Sequence, residues 1–368
     1  MMKKLGFGCM RLPSIDGEVD IETTKKMVDT FIERGFTYFD TAWMYCGGKS
    51  EEIMGEVLVK RYPRESYTLT TKLPSYLLSS EEDRDKVFNE QLRRTGAGFF
   101  DYYLIHDVNS GSIVGFEKYN CFQWAKEKKE AGLVRHIGFS FHDGPELLEK
   151  VLTEHPEMEF VQLQLNYLDW ESSSVQSRKC YEVARRFGKD IIVMEPVRGG
   201  QLANVPEEIE KAFKEREPEM SVASWAIRFV AGLDGVVMVL SGMSNMEQLL
   251  DNISYMESFK PLCDDQVAMV LKAGDIINGV TAIPCTGCSY CTAVCPAKIP
   301  IPDYFTLYNS DVNADKVTGW KSDFGYYETL AEKGARPDEC MECGQCESIC
   351  PQHLEIRELL KTVKNRFE

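Results

Sequence analysis

Eight of the thirteen cysteines in the chain fall into two copies of one spacing, C-x₂-C-x₂-C-x₃-C-P, at 285–296 and 340–351. Thiolates are soft ligands for iron, and three closely spaced ones can hold three irons of one cubane cluster. In bacterial ferredoxin runs of this spacing, the fourth cysteine ligates the other cluster. The sequence therefore predicts two [4Fe–4S] clusters with crossed ligands: Cys285, Cys288, Cys291 and Cys350 for the first, and Cys340, Cys343, Cys346 and Cys295 for the second.

Zinc is the competing interpretation of these cysteines. Four-cysteine zinc sites are built from pairs of C-x₂₋₄-C, and they do not use a third closely spaced cysteine or a repeated Cys-Pro. The spacing thus favours iron–sulfur clusters, which move one electron at a time. The other cysteines have no regular spacing, and we expect small buried side chains rather than a disulfide framework at these positions: Cys9, Cys46, Cys121, Cys180 and Cys263.

The first part of the chain, from Leu5 to about Ser258, alternates short apolar or β-branched runs with amphipathic helical stretches. Eight strands are predicted, at KLGFGCM, FTYFDTA, SYTLTTKL, FFDYYLIH, VRHIGFS, EFVQLQLN, DIIVMEP and GVVMVLSG. Eight strands, each followed by a helix, in roughly 250 residues are typical of a (β/α)₈ barrel. In that fold the chemistry lies where the strands end, which here directs attention to Asp40, Lys72, His106, Ser140, Asn166 and Glu195.

The second part of the chain carries both cysteine runs. We expect a barrel domain at 1–262 and a mostly helical, ferredoxin-like domain at 263–368, with a linker helix around 264–278. The segment 296–339 is longer than a minimal two-cluster ferredoxin requires. It is predicted to hold inserted helices, at IPIPDYFTLYNSD and at GWKSDFGYYETL, and LEIRELLKTVKNRFE is predicted to form a closing helix.

Several segments of the predicted barrel resemble one known family. FDTAWMYCGGKSEEIMGEVL, TLTTKL, DYYLIHD and IGFS are similar to the aldo/keto reductases, over about residues 3–258. That family uses an Asp, a Tyr five residues later, a Lys at the end of the third strand and a His at the end of the fourth, and the matching residues are Asp40, Tyr45, Lys72 and His106. With LGFGCMRLP and the cysteine domain, the chain resembles the iron–sulfur branch of the family, a barrel fused to a ferredoxin-like tail.

The resemblance implies that these four residues reduce a carbonyl, which needs a hydride on carbon and a proton on oxygen. Tyr45 would donate the proton, and we expect the Lys72 ammonium to lower the tyrosine pKa, which is ordinarily near 10. Asp40 would hold Lys72, and His106 would donate a hydrogen bond to the carbonyl oxygen. The alternative is a structural Asp40–Lys72 ion pair beside a core histidine.

The resemblance also implies NAD(P)H bound across the barrel mouth, with its phosphates at the loop after the last strand and at the N-terminus of the next helix. The cations that hold the 2′-phosphate of NADPH are replaced by Gly242 and Gln248. This replacement favours NADH over NADPH and leaves a flavin as an alternative. The candidate nucleotide-binding residues are Gly8, Cys9, Ser140, Gln162, Met194, Ser241, Gly242, Met243, Gln248 and Asn252.

The composition excludes some classes of partner. The net charge of −16 argues against nucleic acid, because phosphate binding needs a basic face. No apolar run approaches the roughly 20 residues that span a bilayer, and MMKKLGFGCMRLP does not have the pattern of a signal peptide. We therefore expect a cytoplasmic protein with a small-molecule substrate.

The combination of a two-electron nicotinamide donor with one-electron clusters leaves three hypotheses. The first is an NAD(P)H-dependent reductase of an aldehyde or ketone whose clusters are structural or regulatory. In the second, the clusters exchange electrons with the barrel site through a flavin and an external ferredoxin. The third is an electron-transfer module with a degenerate barrel. The intact set of four residues favours the first over the third, and the missing cations near 242–248 lend weight to the second.

Overall fold

The computed structural model describes residues 3–172, 175–318, 327–328, 330–331 and 334–368. Eight parallel strands close into a barrel in which each strand pairs with its neighbours in the sequence and the last pairs with the first. The strands are β1 (Leu5–Gly8), β2 (Tyr38–Asp40), β3 (Thr68–Pro74), β4 (Phe100–Val108), β5 (Val134–Phe141), β6 (Phe160–Gln164), β7 (Asp190–Met194) and β8 (Val236–Ser241). All eight predicted strands and the (β/α)₈ architecture are confirmed. A short antiparallel hairpin, Ser14–Ile15 with Glu18–Val19, follows β1.

Helices follow the strands in the predicted alternation. In and around the barrel they are α1 (Ile21–Glu33), α2 (Tyr45–Gly48), α3 (Ser50–Met54, continued by a π-helical turn at Gly55–Val59), α4 (Glu82–Thr95), α5 (Ile113–Lys118), α6 (Cys121–Glu130), α7 (Pro145–Glu154), α8 (Ser177–Arg186), α9 (Glu207–Arg216), α10 (Val222–Ala231), α11 (Met246–Met256) and α12 (Asp264–Val280). The tail adds α13 (Tyr290–Val294), α14 (Ile301–Thr318), α15 (Gln345–Ser348) and α16 (Ile356–Phe367). Short 3₁₀ turns lie at Arg64–Ser66, Ser75–Leu77, Arg198–Ala203 and Pro337–Glu339.

The interior of the barrel is filled by a layer of large side chains from alternate strand positions: Tyr38, Leu104, Phe160, Ile192, Met238 and Leu240. Successive residues of a strand point to opposite faces, so a residue two positions further on faces the same interior, one layer nearer the carboxyl end. Asp40, His106 and Gln162 each stand two residues after a member of this layer. The packed layer therefore closes the barrel below these polar side chains.

Gly138 makes room for this layer. A Cβ atom at this position would lie 2.4 Å from the backbone oxygen of Phe160 on the adjacent strand. Because Gly138 has no side chain, β5 and β6 can pair closely with the Phe160 ring packed beside Gly138. Ser140 follows two residues further along β5.

The helix α12 packs on the barrel rather than on the cysteine-rich tail. Its buried residues Val270, Ala273 and Ile277 belong to the barrel core, and Asn278 Nδ2 donates to the backbone oxygen of Leu168 at 2.9 Å. The predicted linker helix is thus confirmed. The division at 262/263 stays a prediction, and this packing is a reason to move the boundary to the end of α12.

The tail has its own apolar core, formed between α13, α14 and α16 by residues that include Ile299, Phe305, Leu360 and Phe367. The predicted closing helix is confirmed as α16, and the predicted helix at 299–311 begins at Ile301. The other predicted insert, at 319–330, lies largely outside the described residues. Within the described ranges, no helix is both long and apolar enough to cross a membrane.

Candidate active site and cysteine sites

The predicted catalytic residues meet at the carboxyl end of the barrel. Lys72 Nζ lies 2.6 Å from Asp40 Oδ1 and 3.3 Å from Tyr45 Oη, and it also donates to the backbone oxygen of Thr41 at 2.9 Å. The Tyr45 ring stands nearly perpendicular to that of His106, with ring centroids 6.4 Å apart. One buried ammonium group thus connects the carboxylate to the phenol, and Asp40, Tyr45 and His106 line a shared cavity of about 670 Å³.

Local backbone geometry presents Tyr45 to this cavity. The residue opens the short helix α2, directly after the loop that follows β2. Cys46 adopts a left-handed conformation with φ 52°, which is uncommon for a residue other than glycine. Its thiol contacts the backbone oxygens of Cys9 and Met10, so the strained turn is anchored to the loop after β1.

The expected lowering of the Tyr45 pKa by Lys72 is wrong. Burial is the largest influence and raises the pKa of Tyr45 well above its ordinary value, with Asp40 as the next cause. Burial disfavours the charged phenolate, and the negative charge of the nearby Asp40 disfavours it further. Tyr45 consequently keeps its proton at neutral pH, as a proton donor must.

His106 is a neutral imidazole in this environment. Burial lowers its pKa well below the ordinary value, and the positive charge of Lys72 acts in the same direction. A neutral imidazole has one N–H donor and one acceptor nitrogen. His106 can therefore donate a single hydrogen bond into the cavity, which agrees with the predicted role at a carbonyl oxygen.

Nearly all of the candidate nucleotide-binding residues line the same cavity: Gly8, Ser140, Gln162, Met194, Ser241, Gly242, Met243, Gln248 and Asn252. The exception is Cys9, which is fully buried. Its backbone N–H donates to the oxygen of Asp40 at 2.8 Å, and its backbone oxygen accepts from Ser50 Oγ at 3.0 Å. Cys9 therefore supports the floor of the site and offers no surface to a nucleotide, and the roles of the other residues stay predictions.

Side-chain contacts fix the loop after β8 at the start of α11. Asn245 caps α11 by accepting from the backbone N–H of Gln248 at 2.9 Å, and Asn252 Nδ2 donates to Ser241 Oγ at 2.6 Å. Gly8 approaches this loop closely, since a Cβ there would lie 3.2 Å from the backbone oxygen of Ser241. These contacts fix the loop at the amino end of α11, where a helix favours negative charge.

Sequence reasoning missed part of the cavity wall. On the barrel side, the missed residues are chiefly Arg11, Asp107, His142 and Arg198, and on the tail side they are Thr286, Tyr290, Ser348, Ile349, Pro351 and Gln352. Cys288 was predicted as a cluster ligand but not as part of this wall. The barrel residues lie at or just beyond strand ends, so the barrel rule could have suggested them. Nothing in the sequence pattern places the tail over the barrel mouth.

A buried amide pair fastens the tail to the barrel. Gln164 Nε2 lies 3.1 Å from Gln352 Oε1, and Gln352 Nε2 lies 2.9 Å from Gln164 Oε1, so each amide both donates and accepts. His353 adds a hydrogen bond of 2.8 Å from its Nε2 to the backbone oxygen of His142. Because Gln352 follows Cys350 by two residues, these contacts hold one end of the first cysteine set against the barrel.

A buried ion pair holds the other end of the same set. Arg198 Nε lies 2.9 Å from Asp169 Oδ1 and 3.0 Å from Asp169 Oδ2, and the Arg198 guanidinium also donates to the backbone oxygen of Pro284 at 3.2 Å. Asp169 accepts in addition from Gln164 Nε2 at 2.9 Å. The network therefore joins the residues beside Cys285 to the amide pair.

Replacing Asp169 by Ala is expected to destabilise the folded protein by about 3 kcal/mol, since it leaves a buried guanidinium without its partner. The measurement is urea unfolding of the cluster-loaded protein under anaerobic conditions. The matched control is Asp234→Ala, which breaks an Arg185–Asp234 pair whose carboxylate is 84% exposed and should cost less than about 1 kcal/mol. Equal small effects for both variants would contradict a structural role for the Asp169–Arg198 pair.

Each predicted cluster ligand set lines one small cavity. The first cavity is bordered by Cys285, Cys288, Cys291 and Cys350, and the second by Cys295, Cys340, Cys343 and Cys346. Apolar side chains such as Phe305 and Ile299 complete the walls, and all thirteen cysteines are free thiols. Four thiols in an apolar setting fit an iron–sulfur cluster, so the residues suit the crossed ligand sets, whose roles stay predictions.

Each of the two parts of the chain matches a known protein family. Residues 4–275 match the family model "Aldo/keto reductase family", and residues 284–354 match the model "4Fe-4S dicluster domain". Among curated proteins, the uncharacterized oxidoreductase YqkF of Bacillus subtilis is 24% identical, over 68% of this chain and 86% of its own length. L-galactose dehydrogenase of Arabidopsis thaliana is 30% identical, over 37% of this chain and 44% of its own length.

Solved structures share the barrel. The thermostable aldo-keto reductase Tm1743 superposes with a TM-score of 0.60 at 22% identity, covering 73% of this chain and 94% of its own. An aldo-keto reductase of Klebsiella pneumoniae, solved in complex with NADPH, gives 0.58 at 17% identity, covering 74% of this chain and 90% of its own. The match of residues 4–275 extends over most of the chain. The protein therefore belongs to the aldo/keto reductase family of oxidoreductases, and it carries a C-terminal 4Fe-4S domain.

Proposed function

We propose that this protein reduces an aldehyde or ketone at the barrel mouth, with NADH or NADPH as the hydride donor. The observation that supports this most directly is the position of Lys72 Nζ, 2.6 Å from Asp40 and 3.3 Å from Tyr45 Oη. A phenol that is both protonated and beside a buried ammonium is suited to proton transfer. When bound, the nicotinamide nucleotide would supply the hydride.

The roles of the four residues follow from their charges. Tyr45 donates its proton to the carbonyl oxygen as negative charge develops there. Lys72 stabilises the phenolate that remains, because an ammonium within hydrogen-bonding distance favours the charged form. Asp40 keeps Lys72 in place, and the neutral His106 donates a hydrogen bond that orients the carbonyl. The tail forms the outer wall of the cavity in which these interactions lie.

The direct test is carbonyl-dependent oxidation of NADH or NADPH by the anaerobically purified, cluster-loaded protein, with a panel of aldehydes and ketones. A nucleotide deuterated at C4 should transfer its label to the carbinol carbon of the product. Oxidation of the nucleotide without formation of a labelled alcohol, for every carbonyl compound in a broad panel, would rule out the proposed reaction.

We further propose that NADH binds at least as tightly as NADPH. Gly242 and Gln248 offer no positive charge to a 2′-phosphate. Among the described residues of the cavity wall, the lysine and arginine side chains are those of Arg11 and Arg198, and Arg198 is already paired with Asp169. Arg11 lies beside Gly242, with its Cβ 3.9 Å from where a Gly242 Cβ would stand. Arg11 is therefore the cation that a 2′-phosphate could recruit.

Dissociation constants for the two nucleotides, measured by fluorescence titration, test this preference. We expect equal binding or tighter binding of NADH, and Arg11→Gln should leave the affinity for NADH within about threefold. NADPH binding that is tenfold tighter, about 1.4 kcal/mol, would contradict the preference. If Arg11→Gln then abolished that advantage, the phosphate contact would be assigned to Arg11.

For the tail, we propose two [4Fe–4S] clusters held by the crossed cysteine sets. A second candidate function is an enzyme in which the clusters exchange electrons with the barrel site, through a bound flavin and an external ferredoxin. It is favoured by Cys288, which belongs to the first cysteine set and also lines the barrel cavity. Identification of nucleotides extracted from the purified protein, together with an anaerobic visible spectrum during titration with NADH, would distinguish the two functions.

The free thiols and the proposed clusters suit a reducing compartment, and we propose the cytoplasm.

A further inference from the structure

The outer wall of the barrel cavity is built by the cysteine-rich tail. Backbone contact between the two parts is close, since a Cβ on Gly199 of the barrel would lie only 1.9 Å from the backbone oxygen of Thr286 in the tail. Together with the Gln164–Gln352 pair, this contact fixes the tail against the mouth. Side chains of the tail are therefore within the cavity that leads to the catalytic residues.

Tyr290 is the aromatic side chain that the tail contributes to this wall. It stands between Cys288 and Cys291, at the first residue of α13, and its side chain is half-buried. Its hydroxyl group has Met10 Sδ as a neighbour at 3.6 Å. Tyr45 and Tyr290 line the same cavity, one from the barrel and the other from the tail.

Two methionines share the cavity wall with the two tyrosines. Met10 and Met44 line the same cavity, and Met44 directly precedes Tyr45. Thioether and aromatic side chains make favourable contacts with a planar, polarisable group. A carbonyl compound whose oxygen reaches Tyr45 would thus place its substituent between the methionines and the Tyr290 ring.

Building on the proposed function, we propose that Tyr290 contacts the carbonyl substrate across the cavity from Tyr45 and selects substrates with a planar, aromatic substituent. The cluster-binding tail then determines which substrates the barrel accepts. The substrate lies beside Tyr290, which stands between two cysteines of the first set.

Acetophenone and acetone are suitable probes, because both are ketones and only the first has an aromatic ring. In the full-length, cluster-loaded protein, Tyr290→Ala should raise the KM for acetophenone about tenfold, as expected for loss of an aromatic contact and its buried area. The kcat/KM for acetone and the dissociation constant for NADH should stay within about twofold.

The matched control is Tyr308→Ala, since Tyr308 packs on the tail core and is not part of the cavity wall. Should Tyr290→Ala lose iron, Tyr290→Leu preserves side-chain bulk and should still lose the preference for acetophenone.

A second measurement separates this inference from the proposed function. Without nucleotide, acetophenone should change the paramagnetic resonance spectrum of the dithionite-reduced parent protein and leave that of Tyr290→Ala unchanged. A spectral change without turnover of either ketone, or of any carbonyl compound in the broad panel, would support the contact and refute the reductase function. Turnover of both ketones with unaltered constants in the variant, and no spectral response in the parent, would overturn the role of Tyr290 and leave the reductase function standing.

Discussion

Replacing Tyr45 by Phe is expected to lower kcat for carbonyl reduction by about a thousandfold, within the range of general acid catalysis. Burial keeps the phenol protonated, and Lys72 Nζ lies 3.3 Å from its oxygen, so the substitution removes the proton donor and preserves the ring. The affinity for NADH should change less than about twofold. The measurements are steady-state kinetics with a reducible ketone and fluorescence titration of the nucleotide.

Two further variants identify the cause of that loss. Lys72→Met should also reduce kcat strongly, because the phenolate left after proton transfer loses its stabilising charge. Tyr76→Phe removes a hydroxyl group from another cavity-lining tyrosine, which is 56% exposed, and should leave kcat within about twofold. Turnover of Tyr45→Phe at the parent rate with every ketone tested would show that another group donates the proton.

Replacing Cys350 by Ser is expected to remove the first iron–sulfur cluster, although Cys350 lies in the second cysteine run. Its thiol borders the same small cavity as Cys285, Cys288 and Cys291. Iron and sulfide should fall from about eight of each per chain toward about four, as expected for one of two four-iron clusters. Because metal binding and folding are coupled where no preformed site exists, the tail should also lose stability.

If the two ligand sets are crossed, variants of the same set should lose the same paramagnetic resonance signal. Cys350→Ser and Cys291→Ser should lose the same paramagnetic resonance signal, and Cys295→Ser should lose the signal that Cys346→Ser loses. The control is Cys263→Ser, an exposed cysteine outside both sets, which should retain all iron. If Cys350→Ser instead matched Cys346→Ser, each run would hold its own cluster and the crossed assignment would be wrong.

The barrel could be predicted from the sequence because each strand and each helix has its own local pattern of apolar residues, and the two patterns alternate along the chain. Each strand is a short apolar run and each helix an amphipathic one, and the alternation of the two selects the fold. The catalytic candidates Asp40 and His106 could be predicted because they stand near the ends of predicted strands and because their spacing resembles that of a known family. The cysteine sets were equally predictable, because their spacing along the chain is itself characteristic of cluster ligands.

The electrostatic state of the site could not be predicted from residue types. Lys72 beside Tyr45 suggests a lowered phenol pKa, and the buried phenol instead has a raised one. The direction of the shift depends on how much water the folded chain removes from the phenol and on how close the Asp40 carboxylate lies to it, and both are properties of packing.

The sequence by itself determined the eight-stranded barrel, the four candidate catalytic residues and the two candidate cysteine sets. Only the tertiary structure decided that the tail covers the barrel mouth, with Tyr290 in the cavity wall and Gln352 paired with Gln164. The physical reason is separation along the chain: Gln164 and Gln352 are 188 residues apart. Local propensities and motif spacing act over a few residues, whereas the docking of two folded parts depends on surfaces that exist only after each part has formed.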